Sequence, residues 1–532
     1  MSKSLAPSFS DFLFLAIIAW LFLFGQDSWS RLLLDGDTGW HIRTGEWILE
    51  HGRVPSQDMF SFSKNGQPWF AWEWGADVIY AWLHRWMGLK GIVVLGGVQV
   101  ALFATLVARF TLWKGANALA TIATAMLCVG ASSVHYLARP HLFTLVLVPL
   151  TLWMVEADRR QSSWKIWLLV PVTIAWTNLH GGFLALIACL GLVVAGEAAE
   201  AVWRRLRGEP LDWSRTIRYG LVLAACSAAT LANPYGYHLH QHIAAYLNSD
   251  WIKDVVQEFQ SPSFRAENLK QYELLLLVGL LAAAGQLARG MVVAPLLILF
   301  WAHQSLTSVR HVTVFVTVAA PVVAVEATRL WRMFTAGSPA KSLCGILDSL
   351  AEDMGGNFRW TSIWPAAFVA GLLFIDALPI QWPKDFPELR FPVKLIAKHE
   401  DRIRNARVLT SDQWADYLIY RFYPHSRVFF DGRSDFYGPA LGKQYVRMSS
   451  GQHDWRALLE KHDFDLALIP VDWSLASLLK EDRDWKVLDD NGKCLIFERR
   501  KPESGDRAIA RSGKPGAAAA EIAHADKSGL VR

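Results

Sequence analysis

Cysteine is scarce: five residues in a chain of 532. Cys128, Cys189 and Cys226 fall in apolar runs, Cys344 in a basic connecting segment and Cys494 alone near the end, so no disulfide framework or cysteine-based zinc spacing exists. Charged residues make up only 19% of the chain, and no stripe of interleaved basic and aromatic residues is present. The net charge of +5 is accounted for by basic clusters between apolar runs, so nucleic acid is not an expected partner. No small-residue cleavage site follows the first apolar run, only Asp27-Ser28-Trp29-Ser30-Arg31, so that run reads as a retained anchor. Ionisable groups are also missing from the centres of the apolar runs, and no internal repeat is visible. Both absences weigh against a transporter, which places such groups or broken helices near the midplane of two related halves.

What the chain has in abundance is apolar residues, 52% of the total, gathered in long blocks rather than spaced stripes. The expected fold is an all-α polytopic membrane protein of about 11 transmembrane helices. The spans are placed at 12–33, 91–112, 117–134, 141–156, 164–178, 182–202, 217–233, 272–288, 291–306, 311–331 and 360–380, those at 141, 164 and 291 being short enough for re-entrant segments. With the amino terminus inside, the inner loops carry Lys114, Arg159, Arg160, Lys165, the cluster Arg204 to Arg218, Arg289, Arg329, Arg332 and Lys341. That is the bias of cytoplasmic loops, and an odd span count then puts the C-terminal region outside. The helix-end pairs Glu200 with Arg204 and Glu326 with Arg329 are expected there and carry no site signal.

The division that follows is a transmembrane domain over 1–390, with outer loops at 34–90 and 234–271, a small outer-face α/β domain over 391–502, and a disordered tail over 503–532. In the α/β domain, strands are expected at 407–410, 427–430 and 466–470. Helices are expected at 412–422 with Ser411 as cap, at 455–461 and at 475–480, and a hairpin over 486–498 turns at Asp490-Asn491-Gly492. The Trp residues at 69, 72, 74, 82 and 86 suit helices lying in the membrane interface. His238, His240 and His242 would share a face only in a strand, which disfavours a structural zinc there.

The candidate chemistry lies on the outer face, where all eleven histidines of the first 390 residues fall. Asp35 and Asp37 stand where the first span leaves the membrane, with His41 and Arg43 just beyond; a carboxylate at a low-dielectric boundary is a base or a metal ligand, although a bare D-x-D is also an ordinary helix stop. Glu73, set between Trp72 and Trp74, is placed for a raised pKa. Arg139 and Arg310, with the neighbouring His311, defy the positive-inside bias and point to an anionic partner, a lipid headgroup or a substrate phosphate. His135, His141, Asn178, His180 and His303 ring the same surface. Asp431, Arg433 and Asp435 read more readily as a polar turn than as an acceptor contact.

The stretch from Asp35 to Phe62, DGDTGWHIRTGEWILEHGRVPSQDMFSF, resembles the first outer loop of the GT-C superfamily of polytopic membrane glycosyltransferases. The pattern is an acid at the end of span one (Asp35, Asp37), a nearby aromatic and histidine (Trp40, His41), a helix over 44–52 and an x-P-x-x-D turn over 55–58. The following Pro68-Trp69 and Glu73-Trp74 and the segment Phe429 to Asp435 are similar to a group of bacterial members. The resemblance implies transfer of a sugar from a polyprenyl-phosphate donor to a cell-envelope acceptor, with inversion, at the outer face of a bacterial inner membrane. No W-W-D type acceptor motif is found, so asparagine glycosylation is not expected. On this reading Asp35 or Asp37 is the base, Asp35 being favoured. The other orients it or, Asp37 in particular, holds a divalent cation (Mg or Mn). Glu73 is grouped with them as catalytic. Arg139, Arg310 and His311 take the donor phosphate, so no separate acid is required. His41, Arg43, His141 and His180 contact substrate. The alternatives are a multi-pass transporter or flippase of envelope lipid or glycan, and a non-catalytic assembly protein of the same fold.

Overall fold

The computed structural model describes residues 5–24, 28–267, 269–357, 362–375 and 380–500; the expected tail at 503–532 lies outside the described residues. A helix occupies at least part of each of the eleven expected apolar segments. Among the described residues five helices are long and apolar enough to cross a membrane: Leu89–Lys114, Ala118–His135, His141–Arg160, Phe183–Leu206 and Val309–Thr335. Shorter apolar helices run over Phe9–Phe22, Val293–Thr307 and Trp364–Phe374. The protein is thus a multi-pass membrane protein, with Leu89–Lys114 as a central element. Its 26 residues span about 39 Å at 1.5 Å per residue, more than the hydrocarbon core requires. The helix is closed by Gly115 at φ 104°. Asn117 starts the next one by accepting the Ala120 N–H at 2.8 Å.

The first span is shorter than its apolar run suggests. The helix ends at Phe22, and Ser28–Leu33 forms a separate 3-10 turn. One of its carbonyls is spoken for elsewhere: Ala138 N–H donates to the Leu32 carbonyl at 2.7 Å, so this stretch is shaped by a neighbouring loop rather than by i→i−4 bonding.

At the bundle end opposite the first loop, several of the basic residues are paired. Lys114 meets Glu156 at 2.9 Å, Arg159 meets Glu197 at 2.7 Å and Arg218 meets Asp158 at 2.8 Å. Glu326 binds Arg289 and, as expected, Arg329. Glu200 departs from expectation. It accepts the backbone N–H groups of Val292 and Val293 at 2.8 and 3.2 Å, capping the helix Val293–Thr307, and its ion-pair partner is Arg159 rather than Arg204. A helix absent from the sequence reading, Leu343–Asn357, follows Val312–Thr335.

The C-terminal α/β unit holds a four-stranded sheet: β1 (Val408–Thr410), β2 (Leu466–Pro470), β3 (Trp485–Asp490) and β4 (Cys494–Arg499), in the order β1-β2-β4-β3. β1 and β2 are parallel, with Val408 opposite Leu466, and the other pairs are antiparallel. Ser411 caps the helix Asp412–Phe422 as its sequence position dictates. The expected strand at 427–430 is not one. Val428 instead bridges Ser61 of the first loop, donating to the Phe60 carbonyl and accepting from the Phe62 N–H, both at 2.9 Å. The unit is therefore seated on the first loop, and the following segment Ser434–Ser449 is helical on both sides of a kink at Gly438, φ 69°. Trp69 is buried there beside Arg433 rather than lying at an interface; Trp82 and Trp86 are exposed. The three histidines sit on the helix His238–Asn248 and diverge, His238 to Gln241, His240 to Thr230 and His242 to Asp435.

Candidate functional site

The first-loop helix Asp37–His51 starts where Asp35 Oδ1 accepts the Asp37 N–H at 2.9 Å. Its glycines permit a close crossing: a Cβ on Gly39 would lie 2.8 Å from the Asp416 carbonyl, so the helix Asp412–Phe422 rests directly on its backbone. The crossing buries Asp37 beside Asp416.

Above the bundle end opens a cavity of about 690 Å³. One part is apolar, walled by Leu145, Val148, Leu184, Ala188, Phe300 and Trp301 from the helices His141–Arg160, Phe183–Leu206 and Val293–Thr307. The other part is polar and gathers Asp37, Glu73, Arg139, Glu258, Arg310 and four histidines. Arg139 is the hub. It contacts Asp35 at 2.9 Å, Asp37 at 2.7 Å and Glu258 at 3.0 Å, and Glu258 also holds Arg310 at 2.9 Å. Burial works against charge on Glu258, yet the two guanidiniums keep its pKa well below the usual carboxylate range. Asp37 goes the other way. Burial, opposed by Arg139 and reinforced by the charges of Asp35 and Glu258, pushes it up to about 7.

Asp37 Oδ1 and Asp416 Oδ2 are buried without a hydrogen-bond partner among the described residues, and both lie against Gly432, where a Cβ would fall 2.1 and 2.8 Å from them. Asp416, raised well above the ordinary range by burial and by Asp37 and Asp431, is held from behind by the Gly432 N–H at 3.0 Å.

A second acidic group lies on the cavity wall. Burial raises Glu73 to about 8, with Arg139 and Arg310 opposing. Its two oxygens face His41 Nε2 at 3.6 Å and His180 Nε2 at 3.5 Å. Behind them, His41 Nδ1 lies 2.6 Å from the fully buried Asp77, and His180 Nδ1 lies 2.8 Å from Thr144 Oγ1.

Of the candidates named from sequence, Asp37, Glu73, Arg139, His141, His180, Arg310 and His311 line the cavity. Asp35 does not; it stands behind Arg139. His41 is buried behind Glu73, which removes it from direct contact with anything in the cavity. Arg43 points to the α/β unit, where Nε donates to the Tyr420 carbonyl at 2.8 Å and Nη1 reaches Glu46. Its place is an inter-element tie rather than a substrate contact, because the side chain leaves the helix on the face turned to Asp412–Phe422. Arg433 is buried between Asp431 at 2.7 Å and Asp58 at 2.8 Å, yet lines the cavity with Asp435, and its Nη1 has no partner. This segment is more than a polar turn. Sequence reasoning missed Glu258, Asp77 and Asp416. The first stands alone in a long loop, and the other two look like exposed helix acids until their helices are packed.

A divalent cation fits these residues poorly. Asp35 and Asp37 both turn an oxygen to Arg139, and among the described residues no three His, Cys, Asp or Glu side chains converge as a metal cage does.

Neither a protein-family model nor a curated protein sequence matches the chain. Solved structures do. The archaeal oligosaccharyltransferase AglB from Archaeoglobus fulgidus, in complex with an inhibitory peptide and a dolichol-phosphate, matches with a TM-score of 0.52 at 10% identity, covering 93% of this chain and 74% of that one. The Archaeoglobus fulgidus oligosaccharyltransferase tethered to an acceptor peptide gives 0.53 at 10% identity, over 92% and 74%. ArnT from Cupriavidus metallidurans bound to undecaprenyl phosphate covers 91% of this chain and 97% of its own at 13% identity, but at a TM-score of 0.42 it carries no weight. At such identities the likeness is one of architecture, and the chain shares its fold with the archaeal oligosaccharyltransferase.

Proposed function

We propose that this protein is an inverting membrane glycosyltransferase, moving a sugar from a polyprenyl-phosphate donor to a cell-envelope acceptor at the outer face of a bacterial inner membrane, with the amino terminus in the cytoplasm. The observation that carries the reading is the two-part cavity: an apolar trough between helices running into a polar chamber with two arginines and several carboxyl groups. A lipid-linked phosphate has that division of character. A fold relative holding a dolichol-phosphate supports it.

In this mechanism the polyprenyl chain lies among Leu145, Val148 and Leu184, and its phosphate meets Arg139 and Arg310, whose shared partner Glu258 gives way to it. The acceptor enters beside Asp37. The base is Asp37 rather than Asp35, since Asp37 alone of the two faces the cavity. Its pKa of about 7 suits proton uptake near neutral pH. As Asp37 takes the acceptor proton, the acceptor oxygen bonds to the anomeric carbon from the side opposite the phosphate, and the carbon–phosphate-oxygen bond breaks. Arg139 then holds both the base and the phosphate group.

The test is transfer by the purified protein in lipid, supplied with radiolabelled polyprenyl-phosphate sugars and envelope acceptors, beside Asp37→Asn. Product from the wild type, reduced by about 10²- to 10⁴-fold in the variant, supports the reading. Donor that binds without ever yielding product points to a non-catalytic relative, and donor that fails to bind removes the proposal in favour of a transporter.

A further inference from the structure

The arginines of the chamber are already spoken for. Arg139 and Arg310 bring two positive charges, and Asp35, Glu258 and the partly ionised Asp37 together offset both. Even with Glu258 displaced, it stays within the chamber as a charge. A phosphate that gains negative charge as it leaves therefore benefits from a neutral group that can give up a proton.

Glu73 is built to be that group. His180 Nδ1 accepts the Gly182 N–H at 3.0 Å. A ring nitrogen that accepts from a backbone amide carries no proton, so in neutral His180 the proton sits on Nε2, 3.5 Å from Glu73 Oε1. On the other side Asp77 is fully buried with one oxygen unpartnered, and burial followed by the Glu73 charge raises its pKa far above the carboxylate range. With a proton on Asp77, that carboxyl donates to His41 Nδ1 at 2.6 Å and the His41 proton lies on Nε2, 3.6 Å from Glu73 Oε2. In these tautomers both rings present an N–H toward the Glu73 side and neither offers its proton an acceptor, while the Glu73 carboxyl itself lines the cavity.

We infer that Glu73 is the general acid of the transfer, giving its proton to the departing phosphate, with Asp77 acting through His41 and Thr144 through His180 as positioning residues. As the bond between sugar and phosphate oxygen breaks, its electron pair goes to that oxygen and the Glu73 proton moves to the phosphate. The resulting Glu73 carboxylate is met by the two imidazole N–H groups, and the proton that Asp37 took from the acceptor balances the exchange. Besides these histidines, the charges that act on Glu73 are Arg139, Arg310, Asp37 and Asp435. The inference rests on the glycosyltransferase reading for its substrate, but the Glu73 proton is measurable without one.

Three measurements on the full-length protein in lipid decide it. By infrared spectroscopy, the wild type should show a neutral-carboxyl C=O band that titrates away near pH 8 and is missing from Glu73→Gln; a wild type without such a band overturns the inference whatever the transfer assay gives. In that assay Glu73→Gln should lose about 10²- to 10⁴-fold in kcat while still binding undecaprenyl phosphate, and transfer at the wild-type rate would sink the acid role. Asp77→Asn, whose amide still donates to His41 Nδ1, should exceed Asp77→Ala by about tenfold; equal loss in both would mean that Asp77 acts as a charge and not as a donor.

Discussion

Gly432 of the α/β unit lies so close to Asp37 of the first loop that a Cβ there would fall 2.1 Å from Asp37 Oδ1. The bare backbone of one domain thus decides where the proposed base of the other can stand. Gly432→Ala should push the Asp37 carboxyl off Arg139 and lower transfer by about 10- to 100-fold, a misplacement effect. Binding of undecaprenyl phosphate, which relies on Arg139 and Arg310, should fall much less. Unchanged kcat would show that the carboxyl position is not critical.

Arg433 is fully enclosed by Asp58, Asp431 and the rings of Phe60 and Trp69. Arg433→Met should cost on the order of 3–5 kcal/mol, because two buried carboxylates lose their cation. Limited proteolysis should then release the α/β unit from the membrane part, whereas intact wild type resists. An equally resistant variant would show that the bridge at Val428 suffices for docking.

The two raised acids set a pH window. Asp37 at about 7 must be ionised to act as base, and Glu73 at about 8 must be protonated to act as acid, so kcat should trace a bell with its summit between about pH 7 and 8. Stability has a definite sign as well. Between the unfolded carboxylate value and these raised values the folded state holds more protons than the unfolded one, so stability is greatest below about pH 4 as far as these two groups are concerned, and falls as pH rises through about 7 and 8. Thermal unfolding of wild type against Asp37→Asn and Glu73→Gln from about pH 4 to about pH 9 measures this: each variant should flatten part of the slope.

Chelation should leave transfer intact. Arg139 occupies one oxygen each of Asp35 and Asp37 with a positive charge, so activity in excess EDTA should match that in Mg or Mn. A strict requirement for either ion would reassign Asp37 as a ligand.

Much of the architecture is legible in the sequence. Ser411 and the amphipathic run after it give the helix Asp412–Phe422, and the alternation around Asp490-Asn491-Gly492 gives the hairpin of β3 and β4, because caps and turns are local chemistry. The same local reasoning fails at Arg427-Val428-Phe429-Phe430, where a run that looks like a strand finds its partner in Ser61 instead of the sheet. The outward acids and arginines are visible as a set, but their pairing is not. Arg139 and Glu258 are 119 residues apart, and Arg43 and Tyr420 377. Nothing in a periodicity encodes which loop residue meets which. Asp416 is the sharpest case, since its helix face looks soluble until Gly39 lets it close on the first loop.

The contacts between the first loop and Arg433 also bear on how the chain is made. Lys64 waits 372 residues for the Phe436 carbonyl it binds, roughly 20 to 70 s of synthesis at ~5–20 residues per second. Asp58 lacks its guanidinium for about as long. The first loop must therefore pass through a period in which it is unsealed, and a unit made much later is the one that locks it.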